Sequence, residues 1–160
     1  MTALKAASDA QAAPAQPVDV TQNLTYRIVM LASTLSRSAS RSFADGAGLS
    51  VPEWRVISVI GSRDQVSFNT LAQTLDVDKG WISRTLMQLE GAGLVLRKPD
   101  PRDGRQFRLS LTKAGRALHL KGSSVSVGRQ KHLESRFSAT ELAALYKLLG
   151  RLQQAADDMP

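Results

Sequence analysis

The segment from residue 67 to residue 90 constrains the fold of this chain more than any other part of its sequence. Its apolar residues recur at helical spacing in two short runs, which predicts two helices joined by a tight turn. Ser67 and Asp78 are good N-cap residues, and Asp76 with Val77 forms the turn between the helices. The inward-facing residues are Leu71, Ala72, Leu75, Val77, Ile82, Leu86 and Leu89. The segment therefore predicts a helix-turn-helix, and an ordinary helical hairpin within a core is the alternative.

The second helix of this segment displays small, polar and basic side chains on the side away from its apolar stripe. At about 100° per residue, that side and its flanks hold Gly80, Trp81, Ser83, Arg84, Met87, Gln88 and Gly91. A helix-turn-helix places its second helix in the major groove of DNA. Small residues and an arginine near the start of this helix therefore favour a DNA-binding interpretation.

Individual roles follow from the chemistry of these side chains. Lys79, Ser83 and Arg84 are the candidates for base-edge or phosphate contact, because arginine can donate two parallel hydrogen bonds to guanine. Gly80 lets the helix approach the DNA backbone closely. Trp81 has two interpretations that stay open, packing on a sugar-phosphate or forming part of the core.

The charge of the chain supports a nucleic-acid partner. The net charge is +7 and the pI is about 10.2. Between Lys79 and Arg116, nine Lys and Arg residues face three Asp and Glu residues, a local net charge of +6. The first helix of the helix-turn-helix supports the second, and we expect its Thr70 and Gln73 side chains to contact phosphate. A solvated basic face is the alternative for any such run of charge.

A β-hairpin is predicted directly after the helix-turn-helix. The runs 94–98 and 106–111 are short and apolar, and the second alternates strictly between apolar and polar residues. The loop between them holds two prolines and an Asp-Gly pair, which are turn signals. Its tip carries Arg102 and Arg105, which makes the hairpin a candidate wing that reaches a neighbouring groove. We expect the loop's two aspartates to hold these arginines in place.

Long helices are predicted on both sides of this region. An amphipathic helix over 20–44 ends at the glycines of 45–48, and a second helix begins with a capping box at Ser50. After the hairpin, a helix over 113–136 is predicted, with one face made by Leu118, Val125, His132 and Leu133. A last helix begins at Ser138 and carries a seam formed by Leu142, Leu145, Leu149 and Leu152. This apolar surface exceeds what a small domain must cover, which favours a homodimer.

The predicted fold class is mainly α with a small β-hairpin wing. We expect a disordered tail over 1–20, a helical dimerisation region over 21–48 and 113–160, and a winged helix-turn-helix domain over 49–112. No apolar run approaches the roughly 20 residues that a membrane span requires. The first residues also lack the pattern of a signal peptide. The expected location is therefore the cytoplasm.

The order of these elements resembles the MarR family of bacterial winged-helix regulators over residues 21–158. The stretches that carry the resemblance are 50–56, 70–75, 78–84, 90–95, 100–105 and 109–115. The resemblance implies a homodimer built by the first and last helices and a pseudopalindromic operator, usually bound by a repressor. It also implies a small effector, often aromatic and anionic, that binds between the dimer helices and the winged domain and releases the DNA.

An effector site would need a cation beside an apolar wall. Arg37 and Arg41, on the polar side of the first helix, are candidates for the cation, and Trp54 for the wall. The alternatives are that the arginines are solvated or pair across the dimer, and that Trp54 belongs to the core. The chain has no cysteine, which excludes thiol sensing, and His119 and His132 are 13 residues apart without an acidic cluster. No metal or cofactor is therefore expected.

Two other classes of function remain to be weighed. Basic charge alone would also suit a non-specific architectural DNA-binding protein. An enzyme is not expected, because the sequence holds no phosphate loop, Cys/His pair, metal-ligand spacing or nucleophile elbow.

Overall fold

The computed structural model describes residues 19–63, 65–101 and 107–159. A short 3-10 turn, Val20–Gln22, precedes the first helix. The helices and strands are α1 (Leu24–Ala47), α2 (Val51–Gly61), β1 (Val66–Ser67), α3 (Phe68–Leu75), α4 (Lys79–Gly91), β2 (Val95–Pro99), β3 (Phe107–Leu111), α5 (Lys113–Glu134) and α6 (Ala139–Asp157). The chain divides into one compact unit that ends at Arg37 and a second that begins at Ser38. The mainly helical fold with a small antiparallel sheet confirms the predicted fold class.

The first helix is displaced from its predicted limits by about one turn. It begins at Leu24 rather than at residue 20, because Asp19 caps the 3-10 turn by accepting a hydrogen bond from the backbone N–H of Thr21. It also continues past residue 44 to Ala47. The left-handed residue that ends it is Gly48, at φ +65°.

The core belongs to the unit that begins at Ser38 and lies among α2, α3, α4 and the sheet. The apolar faces predicted for the helix-turn-helix are confirmed, since Leu71, Ala72, Leu75, Ile82, Leu86 and Leu89 are all buried. Thr85, a polar residue, is buried beside them. Its hydroxyl donates to the carbonyl oxygen of Trp81, at 3.1 Å, which satisfies the buried polar group within its own helix.

The sheet has three strands in the order β1-β3-β2. Strands β2 and β3 form the predicted antiparallel hairpin, with Val95 opposite Leu111 and Pro99 opposite Phe107. Strand β1 is not among the predicted elements, and it is formed by the pairing of Val66 with Leu109. Two residues are too few to show an alternating pattern, so only the paired partner reveals this strand.

Helix α5 packs along one face against α2, β3 and the end of α1, often with glycine at the contact. A Cβ on Gly61 would lie 2.6 Å from the His119 ring, and one on Gly46 would lie 2.6 Å from Cγ2 of Val125. The glycines of α5 itself, at 115 and 122, are buried at similar contacts. The packed face of the helix follows these contacts. The helix ends at Glu134, two residues before its predicted limit. The predicted face is wrong at its far end, because His132 and Leu133 are exposed.

Apolar side chains remain exposed on the last helix and on the first part of α1. On α6 they are Leu145, Tyr146, Leu148 and Leu149, and in the unit that ends at Arg37 they include Leu24, Val29, Met30 and Leu31. A capping box begins α6 at the predicted Ser138: the backbone N–H and the hydroxyl of Ser138 both donate to Glu141 and lower the pKa of its carboxyl. Within the described residues, no helix is long and apolar enough to cross a membrane.

Candidate nucleic-acid interface

The helix-turn-helix is held by three local hydrogen-bond arrangements. The Ser67 hydroxyl accepts from the backbone N–H of Thr70 at 3.1 Å, which caps α3. Asp76 ends α3 in the left-handed conformation at φ 47°, and its N–H donates to the carbonyl of Ala72 at 3.0 Å. Asp78 then caps α4 by accepting from the N–H of Trp81 at 3.0 Å. Both predicted caps are confirmed, and together they fix the angle at which α4 leaves the turn.

The outer face of α4 is open to solvent along its length. Lys79, Ser83, Arg84, Met87 and Gln88 are all exposed, and the opposite side of the helix lies in the core. The face thus combines two cations, a hydroxyl, an amide and a thioether.

Gly80 makes room for polar groups at the start of this helix. A Cβ at this position would lie 2.9 Å from Oδ1 of Asp78 and 3.5 Å from Nη1 of Arg84. The missing side chain therefore leaves space for the capping carboxylate and for the Arg84 guanidinium near the first turn. A larger residue would displace the carboxylate of Asp78.

Trp81 packs against the core with part of its surface still accessible. The guanidinium carbon of Arg55 lies 5.9 Å from the centroid of its ring. Arg55 also donates from Nη2 to the carbonyl oxygen of Leu75 at 3.0 Å. Arg55 therefore connects α2 with the end of α3 and the start of α4, a positioning role that the sequence did not suggest because these contacts join residues 20 or more positions apart.

The supporting helix α3 presents Thr70 and Gln73 to solvent, three residues apart. The Thr70 and Ser67 hydroxyls lie 2.9 Å apart, so Thr70 belongs to the cap as well as to the exposed face.

The base of the hairpin is fixed by a charged cluster. Arg108 donates from Nε to Asp100 at 2.7 Å and from Nη1 to the side-chain oxygen of Gln65 at 3.0 Å. The hydrogen bond to Asp100 and its negative charge raise the pKa of Arg108. Arg97 lies over the Phe107 ring, with its guanidinium carbon 4.1 Å from the centroid. Asp100 was expected to hold the arginines of the tip, and among the described residues it accepts hydrogen bonds from Arg108. The tip itself, with Arg102, Asp103 and Arg105, lies outside the described residues.

The three candidate effector residues have different surroundings. Arg37 is exposed and donates to the Thr34 hydroxyl at 3.1 Å, and Arg41 is also exposed. Trp54 is half-buried, and its ring stacks with Phe43 at 5.2 Å and His119 at 5.9 Å between centroids. His119 thus takes part in aromatic packing.

An open cavity of about 490 Å³ lies where α1 ends and α2 begins. Its lining consists of small and apolar residues together with two hydroxyls: Ser40, Ala44, Gly48, Leu49, Ser50, Val51 and Pro52. None of the three candidate effector residues lines this cavity. In the described part of the chain, no three acidic or histidine side chains are grouped in a way that could hold a metal ion.

Comparison with known proteins identifies the family. The model of the MarR family matches residues 47–106. The structure of a MarR/EmrR family transcriptional regulator from Acinetobacter sp. ADP1 is 30% identical, with a TM-score of 0.77 over 89% of this chain and 100% of that one.

Two relatives of known sequence agree with this match. The homoprotocatechuate degradative operon repressor of Escherichia coli is 28% identical over 101 residues, 63% of this chain and 68% of the relative. A putative transcriptional regulatory protein for the hcr operon of Thauera aromatica is 27% identical over 124 residues, 78% of this chain and 75% of the relative. These relatives are transcriptional regulators rather than enzymes. The chain therefore belongs to the MarR family of DNA-binding transcriptional regulators.

Proposed function

We propose that this protein is a repressor that binds a pseudopalindromic operator as a homodimer, with α4 of each protomer in a major groove. The observation that carries the proposal is the exposed face of α4, where Lys79, Ser83 and Arg84 extend from a helix that is capped at its start and buried on its other side. In this proposal Arg84 reads a base edge, and Lys79 and Ser83 contact bases or phosphates. The two half-sites would lie one helical turn apart, about 10 bp from centre to centre.

Affinity and specificity come from different parts of this surface. The net charge of +6 between Lys79 and Arg116 attracts any duplex by neutralising phosphates. Thr70 and Gln73 on α3 would add phosphate contacts, and Arg102 and Arg105 would extend the contact from the hairpin tip. Trp81 contributes mainly through the core in this proposal, because its ring already packs there.

Replacing Arg84 by alanine is expected to weaken operator binding by about 1–3 kcal/mol, because a base-reading arginine loses its paired hydrogen bonds. The operator is first obtained by sequencing fragments that the protein selects from a genomic pool. Affinities for operator and random DNA are then measured at one salt concentration. The matched control is Arg151→Ala, which removes the same charge from an exposed position on α6. Equal losses on operator and random DNA would assign Arg84 to phosphate and contradict its reading role.

The second candidate function is architectural binding without sequence preference, which the basic charge alone would support. The ratio of operator to random-DNA affinity separates the two. A specific regulator is expected to prefer its operator by a factor on the order of 10³ or more at physiological salt. A ratio near one would favour the architectural function.

We further propose that a small aromatic acid releases the protein from its operator. The E. coli relative is named for an operon that degrades homoprotocatechuate, which is an aromatic acid. The exposed guanidinium of Arg41 and the half-buried ring of Trp54 are the candidate contacts in the unit that begins at Ser38. The test is operator release by a broad panel of aromatic acids, compared with aliphatic acids of equal charge. At least one aromatic acid is expected to lower operator affinity, and no release by any member would contradict the proposal.

A further inference from the structure

One residue on the outer face of α4 differs in chemistry from all its exposed neighbours. Met87 is 67% exposed, whereas the adjacent Leu86 and the nearby Leu89 are buried. Between Leu49 and Thr112, the large hydrophobic side chains that the described chain leaves exposed are those of Met87 and Leu96. Met87 therefore has no packing role within the protomer that would explain an apolar residue at this position.

Its location relative to Arg84 is set by helix geometry. Met87 follows Arg84 by three residues and Ser83 by four, so the three side chains share one face of α4. The rise of about 1.5 Å per residue places Met87 about 4.5 Å beyond Arg84 along the axis. One base-pair step is about 3.4 Å along the duplex. A helix that aims Arg84 at one base pair therefore brings Met87 over the next one or two.

The major groove offers few apolar groups to such a side chain. The 5-methyl group of thymine is the apolar group on the base edges, and the other edges present hydrogen-bond donors and acceptors. A thioether satisfies those donors and acceptors poorly, but it adapts its shape and gains by removing a methyl group from water. We propose that Met87 contacts the 5-methyl group of a thymine one or two base pairs from the base read by Arg84, in each half-site. This inference rests on the proposed function, because it requires α4 to lie in the major groove.

The test removes the methyl group from the DNA and the thioether from the protein in a double-mutant cycle. Each thymine of the operator is replaced in turn by deoxyuridine, symmetrically in both half-sites. Deoxyuridine keeps every hydrogen-bonding group and lacks only the methyl. At one thymine per half-site, the wild-type protein is expected to lose about fourfold in affinity per methyl group. Met87→Ala should bind the normal and the substituted operator equally at that position.

Two control variants make the result specific to Met87. Gln88→Ala removes an exposed polar neighbour on the same helix, and Leu96→Ala removes the other exposed apolar side chain from β2. Both are expected to keep the wild-type sensitivity to deoxyuridine. Unfolding curves of Met87→Ala should match those of the wild type, because the side chain is largely solvated.

The possible failures are distinguishable. If the wild-type protein prefers its operator over random DNA but no thymine substitution alters its affinity, the inference about Met87 is overturned and the proposed function stands. The same holds if Met87→Ala retains the full deoxyuridine effect. If the wild-type protein shows no operator preference, both proposals are overturned.

Discussion

Replacing Gly115 by alanine is expected to lower the free energy of unfolding by about 3 kcal/mol, because the new methyl group has no space. Gly115 lies buried in the first turn of α5. A Cβ there would overlap the carbonyl oxygen of Leu94 and lie 3.4 Å from the Cβ of Leu111. The obstructing oxygen is a backbone atom that accepts a hydrogen bond from the N–H of Thr112 at 3.1 Å, so it cannot turn aside as a flexible side chain would.

The matched control is Gly128→Ala, the same substitution in the same helix. Apart from its two chain neighbours and the helix's own backbone, no atom of the described residues lies within 4 Å of a Cβ at this position. Alanine is the better helix former, so the control is expected to gain up to about 1 kcal/mol. Chemical denaturation at one protomer concentration measures both variants. A Gly115→Ala protein as stable as the wild type would contradict the packing argument.

The contact at Gly115 also bears on the DNA-binding surface. The Thr112 hydroxyl donates to the carbonyl oxygen of Gly93 at 2.8 Å and accepts from the N–H of Gly115 at 2.9 Å. This junction joins the end of α4, the end of β3 and the start of α5. A variant that strains it should therefore disturb the hairpin and the recognition helix together, and lower operator affinity as well as stability.

The sequence predicted well those features that depend on residues only a few positions apart in the chain. Ser50, Ser67, Asp78 and Ser138 all cap helices as expected. Each cap is a hydrogen bond across three residues, so its residue type and spacing are visible in the sequence. The buried faces of α3 and α4 were predicted equally well, because the helical spacing of apolar residues shows directly which residues face the core.

The features that sequence reasoning missed depend on partners far away in the chain. Arg108 binds Asp100 and Gln65, and the latter lies 43 residues away in the chain. Gly122 is buried where a Cβ would meet the ring of Trp54. Neither local spacing nor propensity contains this information, because the cause of each arrangement is a residue on another element.

For the same reason, the sequence predicted the exposure of some residues of the DNA-binding surface and left that of others undecided. Exposure of Ser83 and Arg84 follows from the helical wheel, and the structure agrees. The helical wheel could not decide whether Trp81 is buried or exposed, because the residue lies at the border between the apolar and polar faces of α4. The ring position is decided by the core and by Arg55, which is 26 residues earlier.

Replacing Leu149 by glutamate is expected to dissociate the proposed homodimer and weaken operator binding by about 10²–10⁴-fold, because each protomer then binds its half-site alone. Leu149 is 50% exposed on α6, and Leu145, one turn earlier, is 37% exposed. A monomer that leaves these leucines in water gains nothing from them, whereas a second copy of α6 would bury both. A carboxylate at the centre of such an interface would have to be desolvated without a partner, which opposes association strongly.

Ala143→Glu is the control, because it introduces the same carboxylate at an exposed position of the same helix. At about 100° per residue, Ala143 lies about 160° from Leu145 and 120° from Leu149 around the axis. The control is expected to remain dimeric and to keep its operator affinity. Sedimentation equilibrium gives the oligomeric state, and titration of the full operator and of a single half-site gives the affinities. Leu149→Glu should bind the half-site as the wild-type protomer does, since α4 is untouched. A Leu149→Glu protein that stays dimeric with full operator affinity would show that this face of α6 does not form the interface.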